Sequence, residues 1–128
     1  MLRVLAMSVL PLFSVGVSAQ DPIKTDGDKY RILLENERVR VLEYHDSPGD
    51  KTHQHDHPAF VLYAVTPFTR KLVLPGGKVI VRVFKAGDVL YSDAQTHIGE
   101  NIGQTPTHGL IVELKPQANR GQKQPDAP

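Results

Sequence analysis

Between residues 30 and 114 the chain alternates short apolar segments with turn residues, and it never sustains the 3.6-residue apolar period of an amphipathic helix. Segments 30–34 and 39–44 flank Glu35-Asn36-Glu37, and Ser47-Pro48-Gly49-Asp50 is a turn cluster. Segment 59–65 stops at Thr66-Pro67. Leu72-Val73-Leu74 leads through Pro75-Gly76-Gly77-Lys78 into segment 79–84, which is a hairpin pattern. Ala86-Gly87-Asp88 turns into Val89-Leu90-Tyr91, and segment 109–114 closes the series. β-branched and aromatic residues fill these segments, so the expected fold is an all-β single domain, a sandwich or barrel. Val79, Val81 and Val83 share one face, as a half-buried strand requires.

The two ends read differently. Residues 1–19 carry one early positive charge, Arg3, then an apolar run interrupted by Pro11 and Gly16, and they end in Val17-Ser18-Ala19. That is the layout of a cleaved signal peptide, and the run is too short to span a bilayer. The expectation is export to the periplasm or outside the cell, with no stable membrane insertion once the leader is removed. Residues 20–29 are polar and read as a loose lead-in. Residues 115–128, KPQANRGQKQPDAP, are rich in Pro, Gln and charge without an apolar anchor, and read as a disordered tail.

Without Arg3, 14 of the 15 Lys and Arg remain against 14 Asp and Glu. No basic stripe is available for nucleic acid, and no polybasic patch for a membrane surface. Cysteine is absent, so an exported domain of this size rests on its core alone, with a metal as the one available staple.

Three of the six histidines stand at alternate positions in GDKTHQHDHPAF. If residues 52–65 are extended, His53, His55 and His57 share a face continued by Ala59, Val61 and Tyr63, while Gln54 and Asp56 point the other way. The apolar continuation makes the histidine face the inward one, where two imidazoles can converge on one ion. A solvated, pH-responsive histidine patch is the alternative. A second segment, AGDVLYSDAQTHIGENIG, places His97, Gly99 and Asn101 on one parity.

Together these segments resemble the two motifs of the cupins, in particular small single-domain bacterial cupins with an RmlC-like jelly-roll β-barrel. Gly49, five residues, then His55-x-His57 matches the first motif; Gly87 with His97, three residues, Asn101 matches the ends of the second. The resemblance runs from residue 30 to 114. It departs where the first motif's Glu would fall, at Val61 or Leu62, and where Asp93 and Gln95 replace the second motif's Pro and Gly. The resemblance therefore implies a three-histidine set, His55, His57 and His97, for a divalent transition metal (iron, manganese, zinc, nickel or copper) with an open position. Lacking the Glu, such a centre keeps its positive charge and favours an anionic ligand.

Other residues are secondary candidates. His53 or Gln95 could complete the coordination. Glu43 is an acid/base candidate if its strand face, with Val39 and Val41, points inward. Tyr63 and Tyr91 are expected to line the cavity, with Val61 and His108 beside the substrate. Gly49 and Gly87 read as turn positions, and Asn101 as a structural amide. The implied function is an exported metalloenzyme, dioxygenase- or isomerase-type, acting on a small organic acid or carbonyl compound. The alternative is a non-catalytic barrel that binds a small molecule, with a structural metal or none. The resemblance also admits a homodimer paired through edge strands.

Overall fold

The computed structural model describes residues 20–118. The expected leader, 1–19, and residues 119–128 of the expected tail lie outside the described residues. A four-residue helix α1 (Pro22–Thr25) precedes nine strands: β1 (Tyr30–Glu35), β2 (Val39–Asp46), β3 (His55–His57), β4 (Phe60–Ala64), β5 (Phe68–Val73), β6 (Val79–Phe84), β7 (Val89–Ser92), β8 (Gln95–Asn101) and β9 (Thr107–Leu114). They form two antiparallel sheets, β1-β2-β9-β4-β7 and β3-β8-β5-β6, which face each other as a jelly roll. Among the described residues no helix is long and apolar enough to cross a membrane.

Turn chemistry fixes the corners. Gly76 and Gly77 sit at φ 85° and 90° in the β5–β6 connection, a backbone region that side chains other than glycine avoid. Gly49 and Gly87, both at φ 88°, turn the chain before β3 and β7.

Between the sheets, Tyr30, Leu42, Tyr44, Phe60 and Ile111 form one buried cluster, and Ala64, Phe68 and Phe84 a second, with Leu62 packed against both. Burying side chains of this size contributes about 1.5–3 kcal/mol each.

The structure corrects three expectations. Residues 52–65 are not one strand: β3 pairs with β8 in one sheet, whereas β4 pairs with β7 and β9 in the other. The chain changes sheets at Pro58-Ala59, and the inward parity changes with it. Phe60, Leu62 and Ala64 therefore face the core, and Val61 and Tyr63 face out. In β6 the valine face is the exposed one, because Ile80 and Phe84 turn inward instead. Nor is the lead-in loose. Asp21 caps α1 by accepting from the Ile23 N–H (2.8 Å), Ile23 packs on the core, and Gln20 and Asp56 exchange hydrogen bonds. Past β9, the Lys115 N–H donates to the Arg38 carbonyl at 2.9 Å, so the first residue of the expected tail is tied to the domain.

Candidate metal centre

The pairing of β3 with β8 sets His55 opposite His97 and His57 opposite Gln95. His55 and His57, two residues apart on one strand, project from the same side of the pleat, and the neighbouring strand delivers His97. All three are buried, with ring centroids 4.8, 4.9 and 5.3 Å apart. One ring nitrogen from each lies within 4.8 Å of the others, so the group could hold a metal ion.

Each Nδ1 is engaged by an oxygen that can only accept. His55 Nδ1–H donates to the His53 carbonyl (2.9 Å), His57 Nδ1–H to Glu113 (2.7 Å), and His97 Nδ1–H to the Gln95 amide oxygen (2.8 Å). These bonds fix the tautomer, so every Nε2 presents a lone pair to the common centre. His55 Nε2 and His57 Nε2 face each other at 3.1 Å. A proton or a metal ion between the two nitrogens satisfies that separation, and nitrogens about 2 Å from a tetrahedral ion stand roughly 3.3 Å apart. The donor set therefore fits a transition metal.

Burial pushes the His55 pKa down to about 4, helped by the neighbouring His57 and opposed by the His53 carbonyl and Asp26. Burial likewise takes His97 down to about 2, reinforced by His57, His55 and Arg70. Both imidazoles are neutral at pH 7, the protonation state that coordinates metal.

A polar shell supports the triad. Glu113 accepts from His57 on one oxygen and from Arg40 Nε (2.6 Å) on the other, and Arg40 reaches on to Asp21 (2.7 Å). Burial pushes the Glu113 carboxyl up, but the bonds from His57 and Arg40 outweigh it and hold the group below its ordinary value. Asp26 stands 3.5 Å behind His55 Nδ1. The Tyr30 hydroxyl lies 3.2 Å from His55 Nε2, and burial raises its pKa well above the usual tyrosine value, so it stays a protonated donor.

A cavity of about 90 Å³ adjoins the centre, with His57, His97, Tyr30, Phe60 and Arg70 in its walls. Arg82 of β6 and Ser92 of β7, the free edges of the two sheets, line it as well. Arg70 is buried, its guanidinium stacked 4.6 Å from the Tyr44 ring, with Nη1 donating to Tyr44 (2.9 Å) and Asp46 (3.2 Å). It lies against Gly99, where a Cβ would come within 2.1 Å of Nη2. Gly99→Ala is therefore expected to displace the guanidinium and lower stability by about 1–3 kcal/mol, measured by urea denaturation.

Other candidates fall elsewhere. Glu43 and His108 project from the outer face, because Leu42 and Tyr44 of β2 and Thr107, Gly109, Ile111 and Glu113 of β9 occupy the inner one. Neither reaches the cavity. Tyr63 is 44% exposed and Val61 points away; neither lines the cavity. His53 has its side chain 78% exposed and bonded to Asp26. Gln95 is turned to His97 Nδ1 and so orients a histidine. Tyr91 borders the cavity, exposed, with its hydroxyl donating to Asp93. Asn101 is buried and donates to Asp46 and the Thr105 carbonyl.

Glu113, Tyr30 and Arg70 are absent from the sequence reading. Glu113 had a signal: it is the one charge on the Thr107, Gly109, Ile111 parity of β9.

No protein-family model matches the chain, and no curated protein matches it. Solved structures do. A cupin domain from Bordetella pertussis Tohama I is 25% identical, with a TM-score of 0.62, over 68% of this chain and 92% of that one. The chain belongs to the cupin superfamily. A double-stranded β-helix protein from Klebsiella pneumoniae matches this cupin over 87% of its length and 95% of its own, at 20% identity and TM-score 0.55. The polyketide cyclase RemF from Streptomyces resistomycificus matches it at 21% identity and TM-score 0.50, over 66% of this cupin and 63% of RemF. At these last two identities the likeness is one of fold.

Proposed function

We propose that this cupin is an exported metalloenzyme acting on a small organic acid or carbonyl compound, with His55, His57 and His97 as its metal ligands. The observation that carries the reading is the set of three Nε2 lone pairs, fixed by their Nδ1 partners, converging beside a cavity. When bound, a divalent ion there supplies Lewis acidity to a substrate oxygen. The Arg70 guanidinium offers an anionic group on the substrate a charged partner in the cavity wall. Phe60, Phe68 and Leu62 exclude water from the same space. The Tyr30 hydroxyl, held protonated next to the ligands, donates to an oxygen that gains negative charge. Export rests on the apolar run and Ser18-Ala19 ending of residues 1–19.

The test is metal content of tag-free protein by mass spectrometry, followed by turnover of a panel of small 2-oxo acids and 1,3-dicarbonyl compounds monitored by proton NMR. About one equivalent of ion, lost in His97→Ala, with turnover of a panel member, is the expected result. Bound metal with no turnover, while panel compounds raise the melting temperature, would leave a binding protein instead. Tyr30→Phe deletes one hydroxyl and keeps the ring. It is expected to lower kcat roughly a hundred-fold with metal content unchanged, as loss of a positioned hydrogen-bond donor to a developing oxyanion does.

A further inference from the structure

The outer face of the larger sheet repeats the geometry of the inner centre. In β2 and β9, His45 stands opposite His108, the same register relation that His55 has to His97. Glu43 lies two residues from His45 on the same strand face, as His57 lies two residues from His55, though on the opposite side in the chain. The His45 and His108 rings stack with centroids 4.1 Å apart and planes 19° from parallel. Glu43 Oε2 lies 3.0 Å from His108 Nε2, and its Oε1 lies 3.6 Å from His45 Nε2. One donor atom from each of the three lies within 4.8 Å of the others. The site is open to solvent: the His45 side chain is 56% exposed, and His108 and Glu43 are partly so.

We infer that Glu43, His45 and His108 form a second, surface metal site that takes a divalent ion of zinc or copper type. Two imidazoles and one carboxylate oxygen suit these ions, whereas magnesium and calcium require oxygen ligands almost throughout. Water completes the coordination from the solvent side. The donors come from adjacent positions on one rigid ladder, so little backbone order has to be gained on binding. Arg31 donates to Glu43 Oε1 at 2.7 Å, which orients the carboxylate and leaves Oε2 directed at His108. Without an ion, Glu43 is what holds the stack, bonded to His108 and 3.6 Å from His45. Neutral rings gain little from face-to-face contact in water, and two protonated rings at this distance repel. An ion shared by the two nitrogens removes that conflict and ties β2 to β9.

The test is a zinc titration of chelator-stripped, tag-free protein by calorimetry, comparing wild type, His45→Ala, His108→Ala and His97→Ala. Wild type is expected to bind two equivalents. His45→Ala and His108→Ala should each lose one, at unchanged far-ultraviolet circular dichroism, while His97→Ala loses the other. His45→Asn, a smaller perturbation of the exposed strand, should behave as His45→Ala does. Persistence of the second equivalent in either His45→Ala or His108→Ala, or a wild type whose only equivalent is the one lost in His97→Ala, overturns the inference. Because His97→Ala reads the inner centre separately, failure of either site is distinguishable from failure of the other.

Discussion

Replacing Glu113 with alanine is expected to destabilise the protein by about 3 kcal/mol and to weaken metal binding ten- to a hundred-fold. The carboxylate is almost fully buried and answers two donors at once, His57 Nδ1 at 2.7 Å and Arg40 Nε at 2.6 Å. Its removal leaves a buried N–H with no acceptor and strips Arg40 of one of its two anionic partners. Breaking a buried ion pair from one side costs about 3–5 kcal/mol. Asp21 still holds Arg40 at 2.7 Å, which argues for the low end. The affinity loss has a separate origin, because an imidazole without its Nδ1 acceptor is a poorer donor and free to rotate. Glu113→Gln separates the two effects: its amide oxygen can still accept from His57, so metal affinity should fall less than in the alanine variant. Urea denaturation in chelator and a competition titration with a chromophoric chelator check both. A Glu113→Ala protein within about 0.5 kcal/mol of wild type would contradict the assignment.

Metal-free protein is expected to lose stability steadily as pH falls from about 6.5 to 4. The folded His55 pKa is lowered from 6.5 to about 4 and that of His97 to about 2. In that window the unfolded chain binds protons at these imidazoles that the folded chain refuses, so stability rises with pH and falls with acid. At about 1.36 kcal/mol per unit, the His55 shift alone corresponds to roughly 3 kcal/mol, with His97 acting in the same direction and continuing below pH 4. Asp21, Asp26 and Glu113, whose folded pKa values are lowered, add a loss of the same sign in a more acidic window, beginning near their unfolded values of 3.8 and 4.5. Protons also compete with the ion for Nε2, so metal affinity should fall over the same range. Thermal melts in chelator at half-unit pH steps would show it. A melting temperature flat between pH 7 and 4.5 would mean that the imidazoles are solvated in the folded state.

The jelly roll was readable because turn residues punctuate the chain wherever a strand must end, as at Gly76-Gly77 and Gly87. The triad was readable because His55 and His57 are fixed by strand periodicity and His97 by motif spacing. Inside and outside were harder. β2 and β9 carry apolar residues on both faces, Val41 beside Leu42 and Leu110 beside Ile111, so alternation could not say which face was buried. The condition on Glu43, that its face point inward, and the expectation of His108 beside the substrate both fail for that reason. Val61 and Tyr63 failed differently, since the chain changes sheets at Pro58 and carries the parity argument past its range. Tyr30, Arg70 and Glu113 reach the site only through pairing between strands distant in sequence, which no local pattern reports.

The most direct test is a crystal of tag-free protein grown with zinc, with anomalous difference density measured on both sides of the zinc edge. An ion about 2.0–2.1 Å from Nε2 of His55, His57 and His97 together is the expected result. Three fully ordered imidazoles with no anomalous peak among them, at a zinc concentration that fills other sites in the same crystal, would contradict the account.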